Sequence, residues 1–155
     1  MGNLLSRFLF QPPVVAYTHP QSRLFWIKTV DGRDIPIPAI FINHNAKVTV
    51  LYSHGNAEDL GSTYEWFCAF AARLNINVFL FEYEGYGLTR PHLKPNELSC
   101  YADIDAAFSY LTNDLSIPTE SIVLYGRSLG SGPTCYLAER LCRTKTILGG
   151  VVLEV

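Results

Sequence analysis

Apolar and polar positions follow two different rhythms along this chain. Between residues 21 and 42 the alternation is two-fold. Leu24-Phe25-Trp26-Ile27-Lys28-Thr29 reads as one strand, Asp31-Gly32 as a hairpin signal, and residues 37–43 as the second arm. Pro36 and Pro38 assign part of that arm to an edge or a bend, because proline has no N–H to give to a ladder. From residue 47 onward, short apolar runs alternate with longer stretches of helical period. Lys47-Val48-Thr49-Val50-Leu51-Tyr52 reads as a strand covered on both faces, Asn77-Val78-Phe79-Leu80-Phe81 and Ser121-Ile122-Val123-Leu124-Tyr125 as the next core strands, and Gly150-Val151-Val152-Leu153 as the beginning of a fourth. Between them, residues 62–74 place Phe67, Phe70, Ala71 and Leu74 on one helical face. Asn96 is placed to cap a helix with the stripe Tyr101, Ile104, Phe108 and Leu111. Residues 129–142 turn Thr134, Leu137, Ala138 and Leu141 toward the sheet. Every crossover is long enough for a helix. The expected fold is therefore α/β, an N-terminal antiparallel hairpin leading into a doubly wound parallel sheet. The last strand begins at Gly150 and the sequence stops at Val155, so the next sheet edge is expected to lie bare and to limit solubility.

Length and composition narrow the function classes. The chain has 155 residues, enough for one domain, with 48% hydrophobic and 17% charged residues, which excludes a disordered chain. Pro12 and Pro13 divide it into an N-terminal segment, residues 1–11, and a domain, residues 12–155. The formal net charge of -2, with no basic run, argues against a nucleic-acid partner. Cys68, Cys100, Cys135 and Cys142 form no CxxC pair and no zinc-spaced cluster with histidine. They read as buried or half-buried thiols of a reducing compartment, with neither metal nor cofactor implied. No apolar run approaches the ~20 residues of a membrane span. The first residues also lack the apolar core and cleavage site of a signal peptide. Met1-Gly2-Asn3-Leu4-Leu5-Ser6 does fit the N-myristoylation pattern, with Gly2 as acceptor. One acyl chain binds a membrane only marginally; Arg7 and the neighbouring Leu and Phe side chains would be the second signal. The alternative is an ordinary start that packs Leu5, Phe8 and Phe10 on the domain.

The sharpest chemical signal is Gly126-Arg127-Ser128-Leu129-Gly130, between a strand and a helix. Gly-x-Ser-x-Gly in that setting is a nucleophile elbow. The turn is so tight that the residues two before and two after the serine have almost no room for a side chain. The serine hydroxyl is lifted clear of the sheet at the positive end of the helix. Ser53-His54-Gly55-Asn56-Ala57 ends the first core strand, and a His-Gly turn there would aim the next amide over Ser128. The backbone N–H groups of Asn56 and Leu129 are the expected oxyanion hole.

Other polar residues have simpler readings. His54 precedes the nucleophile, whereas the base of such an arrangement comes last in the chain. His19, His44 and His92 read as surface residues. After Ser128 the acids are Glu139, expected in an exposed ion pair with Arg140 or Arg143, and Glu154, at a strand end where a triad acid can sit. Glu82 and Glu84 form a carboxylate pair that reads as part of a solvated loop. Gly126, Gly130 and Gly132 lack dinucleotide-binding spacing, and no P-loop is present.

Four segments together resemble the α/β-hydrolase superfamily: residues 51–61 (LYSHGNAEDLG), 82–87 (EYEGYG), 101–107 (YADIDAA) and 122–130 (IVLYGRSLG). Their order and spacing are most similar to intracellular α/β-hydrolase-domain proteins that include membrane-associated protein depalmitoylases. The resemblance implies a serine hydrolase that cleaves esters or thioesters through an acyl-enzyme on Ser128, with palmitoylated proteins as best substrate and small acyl esters as another. It also implies a cytoplasmic protein, peripheral on a membrane surface through its N-terminus. Two departures stand out. The cysteine-rich N-terminus of those depalmitoylases is missing, and Gly2 is the residue that would replace it. The resemblance also places the triad acid after the strand that begins at Gly150 and the histidine beyond a later strand. Residues 1–155 thus resemble the N-terminal part of such a domain and alone are expected to leave Ser128 unactivated. A non-catalytic fragment, bound to a membrane or stabilised by a partner, is the competing reading.

Overall fold

The structure is a computed structural model and describes residues 9–17 and 23–155. Six strands form one sheet: β1 (Leu24–Lys28), β2 (Pro36–Ile42), β3 (Thr49–Ser53), β4 (Asn77–Phe81), β5 (Ile122–Arg127) and β6 (Gly150–Glu154). Their order is β1-β2-β4-β3-β5-β6. β2 runs antiparallel to both β1 and β4, and β4, β3, β5 and β6 are mutually parallel. Three helices make the crossovers: α1 (Leu60–Leu74), α2 (Glu97–Ser109) and α3 (Ser131–Arg143).

The two-residue period of the strands splits the core in two. Val50, Tyr52, Val78 and Leu80 face α1 with Ile40, Ile42, Leu60, Phe67 and Ala71. Leu51, Phe79, Phe81, Ile122 and Leu124 face the other way, with Ile104, Ala107, Leu137 and Leu141 of α2 and α3. Burial on both faces is why β3 and β4 read as unbroken apolar runs. The mixed sheet with helices on both faces is the architecture expected from the sequence.

Several local expectations are corrected. β2 is interior, not an edge. Its prolines are tolerated because the ladder to β4 begins only at Ala39↔Phe81, and Pro38 serves that side through its carbonyl, which accepts the Glu82 N–H at 3.0 Å. α1 starts at Leu60, before the expected Ser62, because Asp59 caps it. The Asp59 side chain accepts the Ser62 N–H at 2.8 Å, and Ser62 Oγ accepts the Asp59 N–H at 2.9 Å. Leu74, expected on the apolar face, is exposed beside the left-handed Asn75 that ends α1. The helix expected from Leu129 begins at Ser131, after one 3-10 turn. Asn96 does cap α2, with Ser99 completing the reciprocal pair. Cys100 is buried and Cys68 half-buried, but Cys135 and Cys142 are exposed.

No helix among the described residues is long and apolar enough to cross a membrane. Gly2, Leu5, Arg7, Phe8 and His19 lie outside the described residues, so the acylation pattern has no structural counterpart here.

Candidate active site

Ser128 directly follows β5 and opens the 3-10 turn Ser128–Gly130, at φ +49°. A non-glycine residue there is strained, and such strain collects at functional turns. The flanking glycines are steric necessities. A Cβ on Gly126 would lie 2.5 Å from the Gly130 carbonyl oxygen and 2.5 Å from Thr134 Oγ1. A Cβ on Gly130 would lie 2.6 Å from the Ser53 carbonyl carbon and 2.9 Å from the His54 oxygen. The turn is therefore pressed onto the end of β3. Ser53 stands opposite Gly126 in the β3–β5 ladder, and Gly55 faces the Arg127 carbonyl. The structure thus brings residues 53–55 alongside Gly126, Arg127 and Gly130. Ser128 is exposed and Leu129 half-buried in the first helical turn, where backbone N–H groups have no intrahelical acceptor.

The Asn56 side chain is fully engaged. Its Oδ1 accepts from Tyr86 Oη at 2.6 Å and from the Gln11 N–H at 2.8 Å, and its Nδ2 donates to the Leu9 carbonyl at 2.7 Å. The N-terminal segment thus lies across the loop. It is fastened further by the Ala16 N–H to Asp59 Oδ2 at 2.6 Å and by Tyr17 Oη to Glu82 Oε2 at 2.7 Å. Phe10 is half-buried against the α2/α3 core.

His54 is not placed to act on Ser128. It is buried, with Nδ1 2.9 Å from the Gly55 carbonyl and Nε2 2.9 Å from Glu82 Oε1, the latter a skewed ion-pair contact. Burial alone would lower its pKa, but Glu82 and the Gly55 carbonyl outweigh that and hold it above the usual imidazole value. His44 and His92 are exposed.

The solvated-loop reading of Glu82 and Glu84 is overturned, since both are buried. Glu82 accepts from Tyr17 and, at 3.3 Å, from the Leu60 N–H. A Cβ on Gly87, at φ +46°, would collide with it. Glu84 takes both arms of Arg33, at 2.5 and 3.0 Å. The reason is tertiary. In the β3–β4 ladder Tyr52 faces Leu80, so continuing two residues sets His54 beside Glu82. That parallel register was the available signal.

Arg127 joins the loops at the surface: it pairs with Glu58 and, through Nε at 3.1 Å, with Glu154. Glu58 in turn accepts the Gly55 N–H at 2.7 Å. Glu154, the acid considered for a triad, is occupied by Arg127 and Tyr125. Glu139 pairs with Arg143, while Arg140 reaches Asp105 at 2.8 Å.

Asp103 of α2 is buried beneath the 83–89 loop, and its Oδ2 accepts the Glu84 N–H at 2.8 Å. Burial pushes its carboxyl well above the usual range and the Glu84 charge adds to this, while the Glu84 amide and Arg33 oppose it. The folded state then keeps a proton that the unfolded chain has already released above about pH 4. The contribution of Asp103 to stability should be full below that pH and fall away as pH rises through the raised value. Asp103→Asn should flatten this slope in urea midpoints taken from pH 4 to 8; parallel profiles for the two proteins would refute the assignment.

No family model matches the chain. Individual relatives do. Alpha/beta hydrolase domain-containing protein 17B of Xenopus tropicalis is 33% identical over 173 residues, covering 95% of this chain and 59% of that protein. Protein 17C of Mus musculus is 40% identical over 111 residues, covering 70% of this chain and 34% of that one. The chain thus spans well under two thirds of the length of these relatives. Among solved structures, a Pyrococcus furiosus esterase superposes with a TM-score of 0.67 at 17% identity, over 89% of this chain and 53% of that one. A bacterial heroin esterase gives 0.67 at 19% identity, over 84% and 43%. In sequence the chain is similar to the alpha/beta hydrolase domain-containing 17 proteins, and its fold is the α/β-hydrolase fold.

Proposed function

We propose that the protein is a serine hydrolase in which Ser128 is the nucleophile and the N–H groups of Asn56 and Leu129 receive the oxyanion. The carrying observation is the left-handed Ser128, on a glycine-flanked turn pressed against residues 53–55. A general base takes the hydroxyl proton while Oγ bonds to the acyl carbon. The carbon–sulfur or carbon–oxygen bond then breaks, the leaving group departs protonated, and water releases the acid from the acyl-enzyme. Preorganised amides stabilise charge that appears only in the transition state, which makes them effective.

The substrate reading is finer: long-chain acyl thioesters on proteins, reached at a membrane surface to which an acylated Gly2 would bring the enzyme. It rests on resemblance to the depalmitoylase branch and on the acylation pattern at the N-terminus.

The test is fluorophosphonate labelling of the natural gene product, followed by release of palmitate from an S-palmitoylated peptide. Labelling should be lost in Ser128→Ala, and thioester turnover should fall at least a thousandfold with it. A wild-type protein that takes no label would overturn the enzymatic reading in favour of a non-catalytic role. Labelling with no thioester turnover would restrict it to other esters.

A further inference from the structure

We propose that the buried His54–Glu82 pair is a positioning device for the oxyanion loop, acting through the peptide plane between Gly55 and Asn56; this rests on the serine-hydrolase reading above. In a trans peptide the C=O and the following N–H point in opposite directions. The His54 ring holds the Gly55 carbonyl at 2.9 Å, so it also fixes the direction of the Asn56 N–H at the other end of the same plane. That N–H is the proposed oxyanion donor.

His54 Nδ1 lies 2.9 Å from the Gly55 carbonyl, and Nε2 makes a skewed ion-pair contact with Glu82 Oε1 at 2.9 Å. An N–H at Nδ1 for the carbonyl and a positive charge opposite the carboxylate are both supplied when the ring is an imidazolium. Glu82 balances the charge and is itself pinned by Tyr17, the Leu60 N–H and the tight approach of Gly87. On its far side His54 is fixed by its own carbonyl, which accepts from Tyr83 Oη at 3.0 Å, and by ring contacts with Tyr83 and Tyr86 at 4.2 and 5.3 Å. A neutral ring would lose one of its two N–H groups. If the lost one is at Nδ1, two lone pairs meet at the Gly55 carbonyl and the peptide must rotate.

The other titratable groups around the pair are Glu58 and Asp59 from the same loop, Tyr17 from the N-terminal segment, and Tyr83 and Tyr86 from the loop after β4. Burial drives all three phenols above the usual tyrosine range, so they do not titrate where an imidazole does. The pair is distinct from a catalytic dyad. Its ring is sealed from solvent and touches no reacting atom, so its role is positional.

The experiment combines nitrogen-15 NMR of the histidine rings with fluorophosphonate labelling rates of the natural gene product between pH 6 and 9. In the wild type, His54 should keep both ring protons at neutral pH. Glu82→Gln should bring its titration into the pH 5–8 range and slow Ser128 labelling by about tenfold or more. Glu82→Asp should recover part of both. If the Gln variant does not fold, the wild type alone decides. Its labelling rate and its Asn56 amide shift should change with the same midpoint as the His54 ring. A neutral His54 at pH 7 overturns the proposal. So does Ser128-dependent labelling that is indifferent to the His54 charge, and this leaves the hydrolase reading intact. A wild type without Ser128-dependent labelling sinks the hydrolase reading and the positioning role together, even if the ring proves to be an imidazolium.

Discussion

Gly130→Ala is expected to destabilise the protein by about 3 kcal/mol or more, at the upper end of overpacking effects. The added methyl would press into the Ser53 carbonyl group and the His54 oxygen, which are main-chain atoms of a strand end. No rotamer change relieves that clash; β3 and the turn must separate. Because the same contact holds the Ser128 turn against Ser53 and His54, labelling of the serine should fall together with stability. Gly132, two residues on in the exposed first turn of α3, has open space around a Cβ. Gly132→Ala should leave the protein as stable as wild type or more so, by up to about 1 kcal/mol. Urea denaturation of both variants checks the pair. Equal effects would mean that the turn is not packed as described.

Phe79→Ala is expected to cost about 3–5 kcal/mol, the range for deleting a buried aromatic ring. Phe79 is fully buried in β4, between β2 and β3. Its ring meets Phe25, Phe41 and Tyr110 at centroid distances of 6.0, 6.0 and 5.8 Å. Neighbours from β1, β2 and the turn after α2 are held by their own elements and cannot collapse into the space. A lower urea midpoint with an unchanged slope is the expected result; a loss under about 1 kcal/mol would contradict the packing.

Residues whose burial follows from their own strand or helix could be read from the sequence. Asn77–Phe81 was delimited to the residue because a doubly covered strand leaves an unbroken apolar run. The Asn96 cap was legible because a capping side chain acts on its own helix. The elbow was legible for a similar reason, since its steric demand falls on residues two apart from the serine. What depended on partners distant in sequence was not. The interior place of β2 depends on where its ladder to β4 starts, which spares the prolines. The early start of α1 depends on Asp59, not on the apolar period. Glu82 looked like a loop acid because its partners, Tyr17, His54 and Leu60, come from three other segments.

The segment that crosses the loop at residues 54–59 also bears on how the protein folds. Ala16 must wait for an acceptor 43 residues further along the chain, and Tyr17 for one 65 residues away. During synthesis this stretch leaves the ribosome before β3 and β4, yet it can dock only after they have emerged and paired. Contacts of such long sequence separation form late, because the loop entropy must be spent before they return anything. The mouth of the site would then be the last part to take shape, and a slow refolding phase sensed there but not in the sheet would be its kinetic mark.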